Sequence, residues 1–532
     1  MIASWLSLVP PFIVIITAFI TKKLNQSLLL GLAVGALLAK GISLEAGSLL
    51  FNRLYNQISD QENGCNYLFL VVISTLIVLI SRTGGALAFA KAITKHLKTK
   101  KMVETASLVV SSTLFIDDYL SNLTAGYAMR SLTDRFAIPR VKLAYLVHSL
   151  SSPLVVLSPV SSWIAQTTGF IESADISTVV TTHTKIIAEP FVMLAQTIPF
   201  IFFSIILIAS VWFVVRMGIS FGPMKEQELI AAKTGNLFGG KQAPVTTITI
   251  EEKAHASALD MILPVLLLIT SIIIGFLFAG GYHLFGGQSM SVIQALKNNT
   301  KTAQVLLIAS LLTIFISTIM ALVRKTIDSK ELPSIALEGF YSIYSAILMI
   351  YLATTLGIMM KEDLHVGVYL AGLVRETMPI WLLPCVLFLL ATPISFMIGS
   401  TWGTIALLAP IGTQLLITLT AGTPPFAVQD IPMILPVLGS IFAGAICGNY
   451  ISPISDTTIM ASASCGTYPI DHIQTQLPYA LPVIFASCIS FIIAGLLISH
   501  GIWFTWVISL VSSIALCLLT MYILNRLYGS KK

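Results

Sequence analysis

The feature that most constrains this chain is a series of uninterrupted apolar runs, each about as long as a lipid bilayer is thick. Residues 190–215, 261–278 and 477–499 are examples. A hydrocarbon core of roughly 30 Å needs about 20 apolar residues in a helix. A membrane β-barrel would instead alternate apolar and polar residues with period two. The runs therefore predict an all-α polytopic membrane protein with about 10–13 transmembrane helices.

The low charge content agrees with a chain that lies mainly in lipid. Of 532 residues, 56% are hydrophobic and 10% are charged, whereas soluble domains carry about 25% charged residues. The excess of Lys and Arg in the cytoplasmic loops of membrane proteins explains a net charge of +6. The lipid bilayer is thus the expected partner, and nucleic acid is not. The six cysteines form no C-x-x-C pair, and we expect no cofactor.

The polar stretch at residues 217–258 divides the chain into two halves. We predict a first helical half at 1–216, a cytoplasmic linker loop at 217–258 and a second helical half at 259–532. DYLSNLTAGYAMRS at 118–131 resembles NYISPISDTTIMAS at 449–462, which pairs Asp118 with Asn449. We therefore predict two inverted structural repeats with broken helices and re-entrant hairpins. This design is typical of secondary transporters, whose binding site lies near the membrane midplane.

One part of the topology stays open from the sequence. Basic residues cluster at 91–101 and again at 130–142, on either side of the apolar run 104–128. If this run crosses the membrane once, the two clusters face opposite sides. Either the run is re-entrant, or one cluster is external.

The segment GNYISPISDTTIM, residues 448–460, is the most polar part of an apolar region. Gly448 and Pro453 are expected to stop the helix there, and unwound backbone at membrane depth is tolerated only where it faces protein or a water-filled cavity. A carboxylate such as Asp456 costs at least ~2.5 kcal/mol at the bilayer centre, so it needs a partner or a task. The hydroxyls of the segment are hard oxygens that suit a small hard cation: Ser452, Ser455 and Thr457. The alternative is ordinary capping of a helix start.

Asp117 and Asp118, in FIDDYLSN, form a second acidic site. Adjacent side chains point about 100° apart on a helix, so only one of them needs to face a cavity. Two close carboxylates repel each other, which favours a proton on one of them. A carboxylate that holds either a proton or a cation is the minimum device for exchanging the two. The alternative is that the pair ends a helix at the membrane interface.

Two further features are candidates for the same pathway. GSTWGTIALLAPIG at 399–412 begins a helix with small and hydroxyl residues, and such a start directs free N–H groups at a ligand. Its candidate residues are Ser400, Thr401 and Thr404, although small residues are also common where helices pack. His148 is a candidate proton relay, or a histidine that only hydrogen-bonds a neighbouring helix.

Four stretches together resemble the NhaC-type sodium/proton antiporter family, a group of ion transporters with inverted repeats. They are FIDDYLSNLTAGYAMRSLTDRFAIPRVKLAYLVHS, SPVSSW, GSTWGTIALLAP and SPISDTTIMASASCGTYPIDHIQTQLPYAL. The resemblance implies site residues in both halves: Asp117, Asp118, Ser121, Asn122, Thr124, residues 399–404, Ser452, Ser455, Asp456 and Thr457. Asp118 and Asp456 would be the sodium ligands. This sequence departs from many relatives in carrying His148 and Asn449 where they carry aspartate. Asn449 can still offer its amide oxygen to sodium.

The resemblance implies a secondary active transporter in the cytoplasmic (inner) membrane of a bacterium. The first hypothesis is a Na⁺/H⁺ antiporter that works by alternating access, with a monovalent cation as its partner. The alternative is a Na⁺- or H⁺-coupled carrier of a small organic solute, an amino acid or an organic acid. A homodimer is compatible with both. An enzyme is not expected, because the sequence holds no protease, P-loop or hydrolase motif in a usable context.

Overall fold

The computed structural model describes residues 4–21, 23–94, 97–159, 161–178, 184–244, 255–287, 291–292, 294–295, 301–366, 369, 372, 378–420 and 422–529. Its helices in chain order are α1 (Val9–Thr21), α2 (Leu24–Lys40), α3 (Leu44–Ser59), α4 (Gln61–Arg82), α5 (Gly85–Thr94), α6 (Lys100–Thr113), α7 (Asp118–Arg135), α8 (Arg140–His148), α9 (Ser151–Leu157), α10 (Ile164–Ser173), α11 (Pro190–Thr197), α12 (Phe202–Met217), α13 (Gly222–Thr234), α14 (Leu259–Ala279), α15 (Thr302–Val323), α16 (Leu332–Glu362), α17 (Leu383–Ile398), α18 (Thr401–Leu419), α19 (Ile434–Ile451), α20 (Asp456–Cys465), α21 (Pro469–Leu497) and α22 (Ile502–Tyr528). Three two-residue strands, β1 (Ile176–Ser177), β2 (Ile186–Ile187) and β3 (Phe426–Ala427), form a small parallel sheet in the order β1-β2-β3.

Within the described residues, ten helical segments are long and apolar enough to cross a membrane. They are Asn63–Arg82, Phe202–Thr234, Leu259–Ala279, Thr302–Val323, Ser329–Glu362, Ile380–Ile398, Thr401–Leu419, Ile434–Ile451, Pro469–His500 and Ile502–Tyr528. The predicted all-α polytopic architecture is confirmed, and the chain is an integral membrane protein.

The proposed pairing of the two halves is not reproduced in the register that the sequence favours. Asp118 is the first residue of α7, whereas Asn449 lies inside α19, two residues before its end. The same chain positions therefore start a helix in one half and finish one in the other. Inverted repeats, and boundaries at 216 and 258, stay predictions. The described part of the linker segment contains α13.

An ion cluster holds the starts of α6 and α8 together. The Lys142 ammonium lies 2.8 Å from a carboxylate oxygen of Glu104 and also pairs with Glu228 of α13. Lys142 and Glu104 are 5% and 4% exposed, so each needs the other to offset the cost of burial. We call this end of the bundle, which also carries Lys100 and Arg140, the basic face.

The cluster decides the topology that the sequence left open. α6 starts at the basic face with Glu104 in its second turn, and α8 starts there with Lys142. The only described elements between them are α6 and α7, so the chain goes inward along α6 and returns along α7. Residues 100–135 therefore form a re-entrant hairpin, and both basic clusters lie on the same side.

Helices α7 and α20 run parallel and in register. At their starts, the Tyr119 hydroxyl donates a hydrogen bond of 2.5 Å to the Asp456 carboxylate. About two turns further along α7, a Cβ added to Gly126 would lie 2.1 Å from Ser464 Oγ. Only glycine therefore permits α7 and α20 to approach this closely. At their far ends, Arg130 Nε donates to the Ser464 carbonyl at 2.8 Å. Both helix starts, with their carboxylates, therefore lie side by side.

The shared start of α7 and α20 lies deep in the membrane. α20 has ten residues, which correspond to about 15 Å, half of a hydrocarbon core of roughly 30 Å. Its far end is at the basic face, where Arg140 donates to the Cys465 carbonyl at 2.6 Å. Cations at a helix C-terminus satisfy its free carbonyls and its dipole. Asp456 is therefore near the midplane.

A second turn reaches the same depth from the other half of the chain. Gly399 ends α17 with φ +72°, a left-handed conformation that glycine adopts without strain, and α18 follows at once. The Asn449 amide lies 3.4 Å from the Gly399 carbonyl, so this turn borders the α19–α20 break.

The break itself is made by Pro453, as predicted, but not by Gly448. α19 ends at Ile451, two residues before the proline, which disfavours helical conformation in the residue before it. Gly448 lies inside α19 instead. A Cβ there would be 2.1 Å from the Thr392 carbonyl of α17, so Gly448 permits close packing of α19 on α17.

The re-entrant topology predicts the accessibility of two exposed positions. In a variant whose native cysteines are replaced by alanine, Lys98→Cys and Arg135→Cys should both react with a membrane-impermeant maleimide from the same side of oriented vesicles. Asp430→Cys, in the loop before α19, should react from the opposite side. Labelling of positions 98 and 135 from opposite sides would show that α6 and α7 cross the membrane together.

Candidate functional site

Asp117 closes the start of α7 and is fixed by the helix itself. It is the N-cap residue, and its carboxylate accepts a hydrogen bond of 2.8 Å from the Leu120 backbone N–H. The Ser162 hydroxyl donates to its other oxygen at 2.8 Å. A carboxylate at a helix N-terminus is stabilised by free N–H groups and by the helix dipole. Asp117 is therefore held in place by the start of its own helix and by Ser162.

Within the described residues, Asp118 also accepts two hydrogen bonds, but both come from side chains and neither from the helix backbone. The Ser152 hydroxyl donates to one carboxylate oxygen at 2.9 Å, and the Trp163 indole N–H donates to the other at 3.3 Å. Both donors are neutral, and Asp118 is 4% exposed. Its charge is repelled by those of Asp117 and Asp456. Asp118 is thus the buried carboxylate least supported by its surroundings.

Asp456 is the first residue of α20, and it is exposed. Besides the Tyr119 hydroxyl, it accepts hydrogen bonds from the Thr457 backbone N–H at 2.8 Å and from the Asn449 amide at 3.3 Å. Met460, one turn along the same helix face, lines the cavity described below. An ionised side chain at this depth faces protein or water rather than lipid, so the exposed side of Asp456 borders an aqueous space.

A hydrogen-bonded chain runs from Asp456 to a buried histidine pair. Thr457 Oγ1 lies 2.5 Å from Asn449 Oδ1 and 3.1 Å from His148 Nε2. His148 Nδ1 lies 3.1 Å from His472 Nε2. His148, His472 and Asn449 are 1%, 0% and 3% exposed, so the chain is buried from Asn449 to His472.

The donors and acceptors in this hydrogen-bonded chain follow from the contacts of the Asn449 amide. The Asn449 amide N–H₂ faces two acceptors, the Gly399 carbonyl and Asp456, so its oxygen must face Thr457. Thr457 gives its single hydrogen to that oxygen, and therefore accepts one from His148 Nε2. A neutral His148 then accepts from His472 Nε2. His472 Nδ1 is left as a buried lone pair without a hydrogen-bond partner.

A cavity of about 280 Å³ lies beside Asp117 and Asp118. Helices α4 and α16 supply one wall, which is mainly aliphatic, and the start of α7 supplies another. The remaining lining comes from residues at or near the starts of α10, α18 and α20: Ser162, Trp163, Gln166, Trp402 and Met460. The rings of Trp163 and Trp402 are 4.1 Å apart between centroids. The cavity therefore joins an acidic end to an apolar body.

Cationic partners are missing from all three carboxylates. Across the part of the chain that the structure describes, no Lys or Arg nitrogen pairs with Asp117, Asp118 or Asp456 within 4.0 Å. In the same ranges, no three His, Cys, Asp or Glu side chains converge on a metal position. Sodium ligation by Asp118 and Asp456 thus stays a prediction, and any such site must draw on neutral oxygens as well.

The other predicted site residues fall into two groups. Several hydroxyls are used by nearby backbone: Ser121 donates to Ser111, Thr404 to Ser400 and Ser452 to Phe396, while Ser400 and Ser455 cap α18 and α20. Thr401 is buried at the start of α18, and Thr124 lines the cavity. Asn122 is fully buried, and neither atom of its amide has a hydrogen-bond partner.

A model of the family described as "Na+/H+ antiporter family" matches residues 154–496, more than half of the chain. The chain belongs to the Na⁺/H⁺ antiporter family. The resemblance read from the sequence is confirmed. Since this is a family of transporters, the chain is a secondary transporter, as predicted.

Two proteins and one solved structure are similar to the chain over different shares of its length. A protein of Haemophilus influenzae, described as uncharacterized, is 30% identical over 92% of this chain and 90% of its own length. The malate-2H⁺/Na⁺-lactate antiporter of Bacillus subtilis is 27% identical over 35% of this chain and 37% of its own. The crystal structure of the Alcanivorax borkumensis YdaH transporter superposes with a TM-score of 0.47 and 15% identity, and covers 86% of this chain and 90% of that one.

Several residues at this candidate site were not predicted as site residues. Tyr119 donates a hydrogen bond to Asp456, and His472 is hydrogen-bonded to His148. The cavity is lined by Trp163, Gln166 and Trp402. A signal for Trp163 was present in SPVSSW, where polar residues and a tryptophan interrupt an apolar run. Nothing local marks Tyr119 or His472, because their partners lie in the other half of the chain.

The chain through Thr457 predicts non-additive losses of transport. Thr457→Val removes the hydrogen-bond partner of His148 Nε2 and of Asn449 Oδ1, and a buried unpaired polar group costs about 1–3 kcal/mol. We expect sodium-dependent proton movement in proteoliposomes to fall at least ~10-fold, which about 1.4 kcal/mol explains. Asn449→Leu should cause a similar loss, and the double variant should be no slower than the slower single variant.

Thr418→Val, which removes only a bond to its own helix backbone, is the matched control and should transport normally. Independent, multiplicative losses in the double variant would contradict a chain that acts as one unit.

Proposed function

We propose that the chain exchanges Na⁺ for H⁺ by alternating access, with Asp118 and Asp456 as the groups that hold either ion. The observation that carries the proposal is the set of three carboxylates near the midplane, none of which pairs with a Lys or Arg within the described residues. Three such charges repel each other and are poorly solvated, so a proton or a cation from outside must balance part of the charge.

The contacts support different tasks for the three carboxylates. Asp117 is satisfied by the α7 backbone and Ser162, and serves as a fixed anion. Asp118 has two neutral donors and faces the cavity. Asp456 faces an open space, and its partners Tyr119 and Asn449 are neutral as well. The two exchangeable groups thus begin parallel helices at one depth.

Alternating access requires the ion-binding site to open to each side of the membrane in turn. The α6–α7 hairpin ends at the basic face, and the α17–α18 turn meets the site from the other half of the chain. We propose that the basic face is cytoplasmic, which agrees with the preference of Lys and Arg for that side. The bacterial relatives support a cytoplasmic membrane.

The alternative, a cation-coupled carrier of a small organic solute, is favoured by one specific observation. The cavity of about 280 Å³ beside Asp118 is far larger than one desolvated sodium ion requires. The Bacillus subtilis relative is named as an antiporter of organic acids. Sodium-dependent collapse of a pH gradient without added solute supports exchange. Sodium-driven solute uptake with no such collapse supports the carrier.

Both aspartates are expected to be indispensable for coupled exchange. Asp118→Asn and Asp456→Asn keep the size of the side chain and one acceptor oxygen, but the amide cannot take up a proton at neutral pH or balance the charge of a cation. In proteoliposomes with an imposed pH gradient, each should reduce sodium-dependent proton movement to the level of empty liposomes. The protein should remain inserted and elute as a single peak in detergent.

The matched control is Asp430→Asn, an exposed aspartate whose carboxylate caps the Ala427 backbone N–H. It should exchange ions like the unaltered protein. Normal exchange by Asp118→Asn or by Asp456→Asn would remove that residue from the proposed site.

A further inference from the structure

The cavity beside Asp118 has a composition that selects a class of ligand. Its acidic lining is Asp117, Asp118 and Glu338, and among the described lining residues there is no Lys, Arg or His. Glu338 pairs with Arg82 at 2.6 Å, where both side chains are about half exposed. A negatively charged ligand inside would therefore meet carboxylates and no cation.

An unpaired acceptor strengthens this selection. Gln166 lines the cavity and is 4% exposed, and no described residue donates a hydrogen bond to its Oε1 atom. A buried acceptor without a donor is unfavourable, because it has lost its hydrogen bonds to water and gained none in return. Asp117 and Asp118 each hold lone pairs beyond the two donors they already have. The free lone pairs of Gln166, Asp117 and Asp118 can thus accept hydrogen bonds from a ligand that carries N–H donors.

The rest of the cavity suits an apolar body. Leu70, Ile73 and Ile77 of α4 form one side, and Trp163 and Trp402 stand on the other. The face of a tryptophan ring attracts ammonium groups within about 6 Å. At ~30 Å³ for each water molecule, the volume of about 280 Å³ leaves room for a ligand of several heavy atoms besides the charged group.

We propose that this cavity binds a small organic ammonium ion with an apolar body, whose charged nitrogen lies between Asp118 and Gln166. The inference rests on the proposed function, in which Asp118 holds a cation, and it names a second cation that competes for the same carboxylate. It differs from the organic anions named for the Bacillus subtilis relative.

Three probes of one shape separate the ligand classes. Benzylamine, benzyl alcohol and benzoate share a ring but carry charges of +1, 0 and −1 at pH 7. Binding to the purified full chain in detergent is followed by tryptophan fluorescence. We expect saturable binding of benzylammonium at least ~10-fold tighter than that of the other two. Added sodium should weaken it.

Gln166→Leu has nearly the same volume and removes the unpaired acceptor, so it should weaken benzylammonium binding at least ~10-fold. Gln414→Leu, further along α18 and away from the cavity, is the matched control and should bind like the unaltered protein. Equal binding of benzyl alcohol would identify a crevice for apolar molecules and overturn the proposal. Tighter binding of benzoate would overturn it in favour of an organic anion.

Sodium-dependent proton movement by the same preparation separates this proposal from the proposed function. If protons move with sodium but benzylammonium does not bind, the cavity assignment fails and antiport stands. If benzylammonium binds through Gln166 but no sodium-dependent proton movement occurs, antiport fails and the cavity assignment stands.

Discussion

The hydrogen bond from Tyr119 to Asp456 joins the starts of α7 and α20, and the rest of the site depends on this junction. Because both helices begin near the midplane, their positive ends face the same small volume. A helix N-terminus stabilises a nearby anion by at most about 2 kcal/mol when it is partly buried. A single carboxylate at the bilayer centre costs at least ~2.5 kcal/mol. The dipoles therefore offset only part of the cost of three carboxylates. The remainder must come from hydrogen bonds and from an exchangeable proton or cation, which is the physical requirement for a coupled transporter.

The same junction explains why the surrounding helices are broken or re-entrant. A continuous helix through the midplane would have no free N–H groups there, whereas α7, α18 and α20 each begin at that depth. Their far ends need compensation, and at the basic face Arg130 and Arg140 supply it to α20. Close packing then depends on small residues: Gly126 lets α7 touch α20, and Gly448 lets α19 touch α17. The start of α20, which holds a carboxylate at the midplane, thus requires arginines at the opposite end of the same helix.

The sequence predicted the polar breaks well because each break is local. Pro453 interrupts a helix where expected, and the apolar runs gave the membrane architecture. The helix break in FIDDYLSN was not predicted as such, because the sequence left open whether the run 104–128 is re-entrant. It failed where a residue's role depends on a distant segment. Gly448 was expected to end a helix, but its role is set by the Thr392 carbonyl of another helix. The pairing of Asp118 with Asn449 rested on sequence similarity. In the structure, Asp118 and Asp456 are the residues that each begin a helix, and these two helix starts lie side by side. Which residues line the cavity was equally hidden, because Trp402 and Trp163 meet only after the two halves pack.

The two departures from the family pattern become one feature in the structure. His148 and Asn449 are far apart in sequence, yet both bond to the Thr457 hydroxyl. A hydroxyl has one hydrogen to give, so one neighbour must accept from it and the other must donate to it. The Asn449 oxygen accepts, and the His148 N–H donates. An ionised aspartate at position 148 would have no hydrogen to donate, and its oxygens would face the Thr457 lone pairs.

The imidazole and the amide are therefore matched to each other, and together they leave the neighbourhood of Asp456 without two further negative charges. Without those charges, Asp118 and Asp456 remain as the acids that we propose to hold the cation, while the histidine pair keeps a separate lone pair at His472 Nδ1. An amide passes a proton far less readily than a hydroxyl or an imidazole, so Asn449 insulates that lone pair from the carboxylates, and the two act on each other through charge rather than through proton transfer.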